Sequence, residues 1–378
     1  MKPDRESIRV LSMTRSQAKM LEFNTPKEDW LHPDRDLSEL LVLTIGILGD
    51  IAAMVNREGP DSTDYLAENV SLFAAKYFDA FTKSGLNNSN NDFLRLLASA
   101  TFYLCKMPGN SISIANKLDY SEGIADEGFG HILLWTIKSD YKKKIKLRDN
   151  KYSKILLDFM DCVSYYFASG INGQQVISIA SMIRSLAYEC GSDSILLLAE
   201  VIVAVIRIKL SLSSWNRLPL YSGLPLESWS PALKKDSAIK ELWPAQVILG
   251  ENGLYLGKSA IIQMPTSAGK TKAVELIIRS AFLADRSNLT VVIAPFRALC
   301  HEIHDDLIKA FYGENVIIDK LSDVQQKDYT IHQGQTKTIV VLTPEKFLFV
   351  IRHSPEVMPL IGQVILDEGH QFDNGERG

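Results

Sequence analysis

The chain has 378 residues, 46% of them hydrophobic, and a formal net charge of −4. That length allows two or three domains with sizeable cores. The charge excludes a polycation and leaves only a local basic groove for any nucleic acid. Cys105, Cys162, Cys190 and Cys300 are scattered with no CxxC pair, which supports neither a disulfide framework nor a zinc site and points to a reducing, cytoplasmic setting.

The first residues, Met1 to Glu6, are polar and lead into no signal-type apolar core. The most apolar stretches are Leu40 to Val55, interrupted by Asp50, and Ile195 to Leu210, interrupted by Glu200 and Arg207. Neither reaches the roughly 18 uncharged residues of a membrane span, so both read as buried helices and no membrane partner is expected. Residues 1–210 read as an all-helical domain, with helices expected at Ser38–Arg57, Thr63–Lys83, Asp92–Lys106, His131–Lys144, Tyr152–Ser169, Gln174–Glu189 and Ser194–Leu210. Gly, Pro, Asn and Asp clusters separate them, several with Gly where a helix should stop. The basic run Tyr141 to Arg148 reads as a solvated helix end, and Tyr165-Tyr166-Phe167 as core. Residues 211–235, rich in Ser, Pro and Gly with interleaved Trp and Tyr, read as a surface linker.

From 236 to 378 the pattern alternates. Strands are expected at Ser259–Met264, Leu289–Ala294, Val316–Asp319, Thr338–Leu342 and Gln363–Leu366, as near-continuous apolar runs covered on both faces. Helices are expected at Lys270–Leu283, Arg297–Tyr312 and Glu345–His353. This is a parallel α/β layout, in which ligands bind at the C-terminal strand ends.

Two elements carry chemistry. Met264-Pro265-Thr266-Ser267-Ala268-Gly269-Lys270-Thr271 lies between an apolar strand and a helix. Loop amides and the helix N-terminus there can face a triphosphate, with Lys270 reaching the β- and γ-phosphates and the Thr271 hydroxyl ligating Mg²⁺. The second element is Asp367-Glu368-Gly369-His370, after the apolar run Val364-Ile365-Leu366. Asp367 can hold Mg²⁺ opposite Thr271, and Glu368 can orient the water that attacks the γ-phosphate. His301-Glu302-Ile303-His304 lacks the spacing of a zinc-binding helix, and no nucleophile elbow is present.

Together these stretches resemble the first motor domain of superfamily 2 DExH-box helicases, closest to the Ski-like branch. Asp367-Glu368-Gly369-His370 matches the DExH box, and Pro265 to Thr271 matches that branch's phosphate loop, in which the usual first Gly is replaced. Ala294-Pro295-Phe296-Arg297-Ala298-Leu299 and Thr343-Pro344-Glu345-Lys346 resemble two strand-contact motifs, and Gln246 stands where the family keeps an adenine-reading Gln. Glu376-Arg377-Gly378 resembles residues that follow the box. The resemblance covers roughly the last third of the chain and implies an incomplete RecA-like domain that uses ATP and Mg²⁺. The implied nucleotide residues are Gln246, Thr266, Ser267, Ala268, Gly269, Lys270 and Thr271, the catalytic set is Lys270, Asp367, Glu368 and His370, and the metal ligands are Thr271 and Asp367. His370 in the family links the nucleotide site to the strand-binding machinery. It also implies single-stranded DNA or RNA as partner, gripped by its backbone through Pro295, Arg297, Thr343 and Pro344.

The chain stops just after the box, before the family's Ser-Ala-Thr-type hinge motif and the second motor domain with its arginine fingers. The expectation is therefore part of a longer helicase, binding Mg-ATP without efficient turnover. Two other readings stand beside it: an NTPase switch that does not unwind, and an assembly module whose helical domain docks a companion protein. That companion could be a nuclease of a bacterial defence system, by analogy of fold alone.

Overall fold

The computed structural model describes residues 5–23, 25–26, 28, 37–60, 72–83, 92–265, 268–321 and 336–371. The chain divides into two compact units, Met1–Ser213 and Ser214–Gly378.

The described residues of the first unit hold helices and no strand: α1 (Arg5–Glu22), α2 (Leu37–Glu58), α3 (Leu72–Lys83), α4 (Asp92–Leu104), α5 (Pro108–Ala115), α6 (Phe129–Lys138), α7 (Ser153–Ser169), α8 (Gly173–Cys190) and α9 (Asp193–Ser211). Its core is one continuous cluster. Helix α9 runs through that core, with every residue from Val201 to Ile206 buried, so its apolar surface faces protein all round. Two of the charges along it, Glu200 and Lys209, are partnered. Glu200 accepts from Asn56 Nδ2 at 2.7 Å and pairs with Arg184, while Lys209 donates to Ser139 Oγ at 2.9 Å and sits over the Tyr103 ring. The Leu40–Glu58 stretch is long and apolar enough to cross a membrane by length and composition, yet it gives Ile47, Leu48, Ala52 and Val55 to the core.

Three expectations change here. Helix α6 stops at Lys138, where Ser139 takes a left-handed conformation, so the basic run lies in a loop pinned by buried Tyr141 and Ile145. Tyr141 stacks on Phe167 at 4.4 Å, which places Phe167 in the core as expected, whereas Tyr165 is exposed. Residues 108–115 form a helix rather than only a turn, because Pro108 occupies the first helical position, where its missing N–H is not needed.

The second unit opens at Ser214, where residues expected as a surface linker are helical instead. They form α10 (Ser214–Ser222) and α11 (Leu226–Leu233). Trp215, Leu218, Tyr221, Trp229 and Leu233 pack with Leu249, Tyr255, Ala273 and Leu276 in one cluster. Burying Trp229 completely is worth on the order of 3 kcal/mol, and its Nε1 donates to Ser222 Oγ at 2.9 Å. Then follow α12 (Pro244–Glu251), α13 (Lys270–Leu283), β1 (Leu289–Ile293), α14 (Arg297–Phe311), β2 (Val316–Leu321), β3 (Lys337–Leu342), α15 (Pro344–His353) and β4 (Ile361–Leu366).

The four strands are parallel, in the order β2-β3-β1-β4. The α/β architecture is thus as expected, with two corrections. Residues 259–264 form no strand, and Ile261 and Ile262 are exposed. An extended segment without a ladder partner satisfies its backbone from solvent. Strand β4 is an edge strand with Val364 and Leu366 exposed, so it is covered less completely than its apolar sequence suggests.

An ion-pair cluster binds three segments of this unit. Arg279 of α13 is buried and donates through Nη1 to both Glu314 oxygens at 2.6 Å. Its Nη2 reaches Glu275 at 3.2 Å, and Lys235 pairs with Glu314 from the other side. Burial alone pushes the Glu314 carboxyl up, but hydrogen bonds and charge from Arg279, then Lys235, outweigh it and hold it below its ordinary value near 4.5. A carboxyl depressed by folding contributes stability above its unfolded value and loses it as pH falls through the folded one. Glu314→Gln is therefore expected to destabilise the second unit by on the order of 2 kcal/mol at neutral pH. In denaturant titrations across pH, the gap from wild type should narrow as pH drops below about 4.5.

Candidate active site

The strand register fixes where the site lies. Ile293 at the end of β1 pairs with Leu342 at the end of β3 and with Leu366 at the end of β4. The ladder runs one step further on each side, with Ala294 N donating to Leu342 O at 3.1 Å and Asp367 N to Ile293 O at 2.8 Å. Three chain segments consequently leave the same edge of the sheet together: Pro295-Phe296-Arg297, Thr343-Pro344 and Asp367-Glu368. Ligands of parallel sheets bind at such an edge.

Lys270 comes to that edge from the phosphate loop. Ala268 N bonds Pro265 O at 3.2 Å, closing the loop, and Gly269 caps α13 with φ of 85°. A Cβ on Gly269 would also lie 2.8 Å from Gln246 Nε2, so the left-handed backbone favours glycine and any larger residue would have to displace the Gln246 amide. Lys270 is then the first residue of α13 and Thr271, which is exposed, the second. Thr266 and Ser267 lie outside the described residues.

Across the cleft, Lys270 Nζ is 3.0 Å from Asp367 Oδ1 and is in direct contact with Glu368 Oε1. Glu368 has φ of 50°, a left-handed conformation that costs a side chain on the order of 1–2 kcal/mol. His370 Nδ1 is 3.4 Å from Glu368 Oε2 and its ring is mostly exposed. Burial would lower the Lys270 pKa, but Glu368 and then Asp367 outweigh it and raise it. The Lys270 ammonium in turn holds Glu368 below the usual carboxylate range. Lys270, Asp367, Glu368 and His370 therefore lie together at this end of the sheet.

The donor set suits a hexacoordinate magnesium bound jointly with phosphates. Asp367 supplies a hard carboxylate oxygen and Thr271 a hydroxyl, while no group of three or more His, Cys, Asp or Glu forms a protein cage among the described residues. Magnesium at nucleotide sites takes one or two carboxylates plus substrate phosphates and water.

Gln246 is buried and acts structurally. Its Oε1 accepts from Trp243 N at 2.9 Å, closing the start of α12, and its Nε2 donates to Gly269 O at 3.3 Å. One lone pair and one N–H remain on the amide for an adenine edge. Trp243 was missed by sequence reasoning: its half-buried indole lies beside Gly269. The signal was an aromatic three residues ahead of the glutamine. Of the strand-contact candidates, Pro295 is buried, so it shapes the loop while Phe296 and Arg297 are exposed. The Thr343 hydroxyl accepts from Lys346 N at 3.5 Å as the N-cap of α15, and Pro344 starts that helix. Glu376, Arg377 and Gly378 lie outside the described residues.

Residues 244–378 match the DEAD/DEAH box helicase family. That match covers just over a third of the chain. Two relatives are each named ATP-dependent DNA helicase Hel308. The one from Pyrobaculum calidifontis is 30% identical over 42% of this chain and 21% of its own length, and that from Thermococcus kodakarensis 26% over 41% and 13%. The Hachiman protein HamB of Bacillus cereus is 30% identical over 36% of this chain and 12% of its own length. The chain thus spans about a fifth of the length of the first of these relatives and less of the other two. Gly269→Ala should cost on the order of 1–2 kcal/mol, from the left-handed backbone. Thermal denaturation should show it, accompanied by weaker binding of a fluorescent Mg-nucleotide.

Proposed function

We propose that this chain is the ATP-binding part of an ATP-dependent nucleic-acid helicase or translocase of superfamily 2, closest to the Ski-like branch, within a longer protein. The observation that carries the proposal is the meeting of Lys270 with Asp367 and Glu368, the last being 98 residues away in sequence. A lysine in the first turn of a helix behind a glycine cap, facing an acid pair at a parallel strand end, suits a triphosphate better than any other small ligand.

In this reading Thr271 and Asp367 hold Mg²⁺, which supplies charge neutralisation on the phosphate oxygens when bound. Lys270 exchanges a carboxylate partner for a phosphate oxygen. That exchange frees the Glu368 carboxylate to accept a proton from an attacking water. His370, beside Glu368, bridges toward the strand-contact loops. Gln246 couples the adenine pocket to the loop through Gly269 O. Arg297, Thr343 and the helix starts after Pro295 and Pro344 grip the phosphate backbone of single-stranded DNA or RNA without reading bases.

A defence role is a second reading, prompted by the similarity to the Hachiman protein HamB, and in that reading the helical unit would dock a companion protein. Calorimetry with Mg-ATP tests the main proposal. Lys270→Ala should abolish binding, whereas Glu368→Gln should retain binding and stop turnover in the full-length protein. Unaltered affinity in Lys270→Ala would refute the assignment.

A further inference from the structure

Helices α13 and α14 each begin at a functional edge and are joined at the far end. Helix α13 starts with Lys270 and α14 with Arg297. Near the other end, Arg279 of α13 donates to Ala310 O, an end carbonyl of α14, at 3.0 Å, and its guanidinium lies 4.3 Å over the Phe311 ring. The next free carbonyl, Tyr312 O, accepts from Lys235 Nζ at 2.7 Å. Both cations therefore cap the negative end of α14. Glu314, just past that helix, ties them together, taking Arg279 on both oxygens and Lys235 on one.

Apolar packing alone lets two helices slide. Ile278 and Phe282 of α13 pack on Cys300, Ile303, Leu307 and Phe311 of α14 in such a contact. Charge-assisted hydrogen bonds on a planar guanidinium do not slide, because their geometry is fixed. A shift of α13 driven at Lys270 must then carry α14, and Arg297 with it.

We propose that Glu314 is a positioning residue that makes nucleotide and nucleic-acid binding interdependent, by locking α13 to α14 through Arg279. This rests on the function proposed above. It concerns neither the phosphates nor the strand directly, since Glu314 touches neither loop.

The test measures coupling. Affinity for fluorescein-labelled oligothymidylate and oligouridylate is determined by anisotropy with and without a saturating Mg²⁺ complex of a non-hydrolysable ATP analogue. In wild type the analogue should change affinity by roughly 5-fold or more, the usual lower range for linked sites. In Glu314→Gln that factor should fall to about 2 or less, while each ligand alone keeps its affinity within roughly twofold. Glu314→Asp retains the charge but shortens the reach to two cations, and should lose coupling in the same way if Glu314→Gln folds poorly. A preserved factor in both variants, with the two affinities falling in parallel or not at all, would mark Glu314 as merely structural and overturn the proposal. Wild-type protein that binds neither analogue nor oligonucleotide would instead defeat the functional reading itself, and this inference with it.

Discussion

Asp367 N donates to Ile293 O, and through that bond the acid pair is carried on the end of the β1 ladder rather than on a free loop. Everything proposed for the site depends on this constraint. Parallel strands in register end level with one another, and β1, β3 and β4 do so at Ile293, Leu342 and Leu366. The loops that follow share an edge without any of them needing to touch. The α13 helix then brings Lys270 to the same edge, its start set by a glycine in a left-handed conformation that strains any larger residue.

The contact of Lys270 with the acids does not itself hold the fold together. Its side chain is 41% exposed, and solvent-screened pairs of this kind are worth about 0–1 kcal/mol. The core clusters behind α13 are far larger in energy. The sheet and helix therefore place the charges, not the reverse. A lysine held weakly by two carboxylates can exchange partners at small cost, which a phosphate-binding group must do. The structural ion pairs elsewhere differ in this respect: Arg279 is buried, and its partners fix the relation between two helices.

Much of the site was legible because its signals are local. The bounds of α13 follow from a glycine before Lys270 and from good helix formers after it, and the acid pair follows an apolar run that ends abruptly. The remainder depended on partners distant in sequence. The run Ala260 to Met264 has the composition of a strand, but a strand needs a neighbour and none pairs with it among the described residues. Pro219 and Pro231 suggested a broken linker, yet both are accommodated within short helices because Trp215, Trp229 and Tyr221 find a common core. Gln246 was legible as a candidate by position, but its bond to Gly269 O required the fold. Nothing in the local sequence marks Glu314, whose partners are supplied from Lys235 and Arg279.

The central claim is that Lys270, Asp367 and Glu368 share one site that a magnesium-bound triphosphate enters. Zero-length carbodiimide cross-linking followed by peptide mass spectrometry tests it directly, because an amide forms only between an amine and a carboxylate already in contact. The structure predicts a cross-linked peptide joining Lys270 to Asp367 or Glu368, and its loss when Mg-ATP is present. Absence of that peptide in the free protein, or its persistence unchanged with saturating Mg-ATP, would contradict the account.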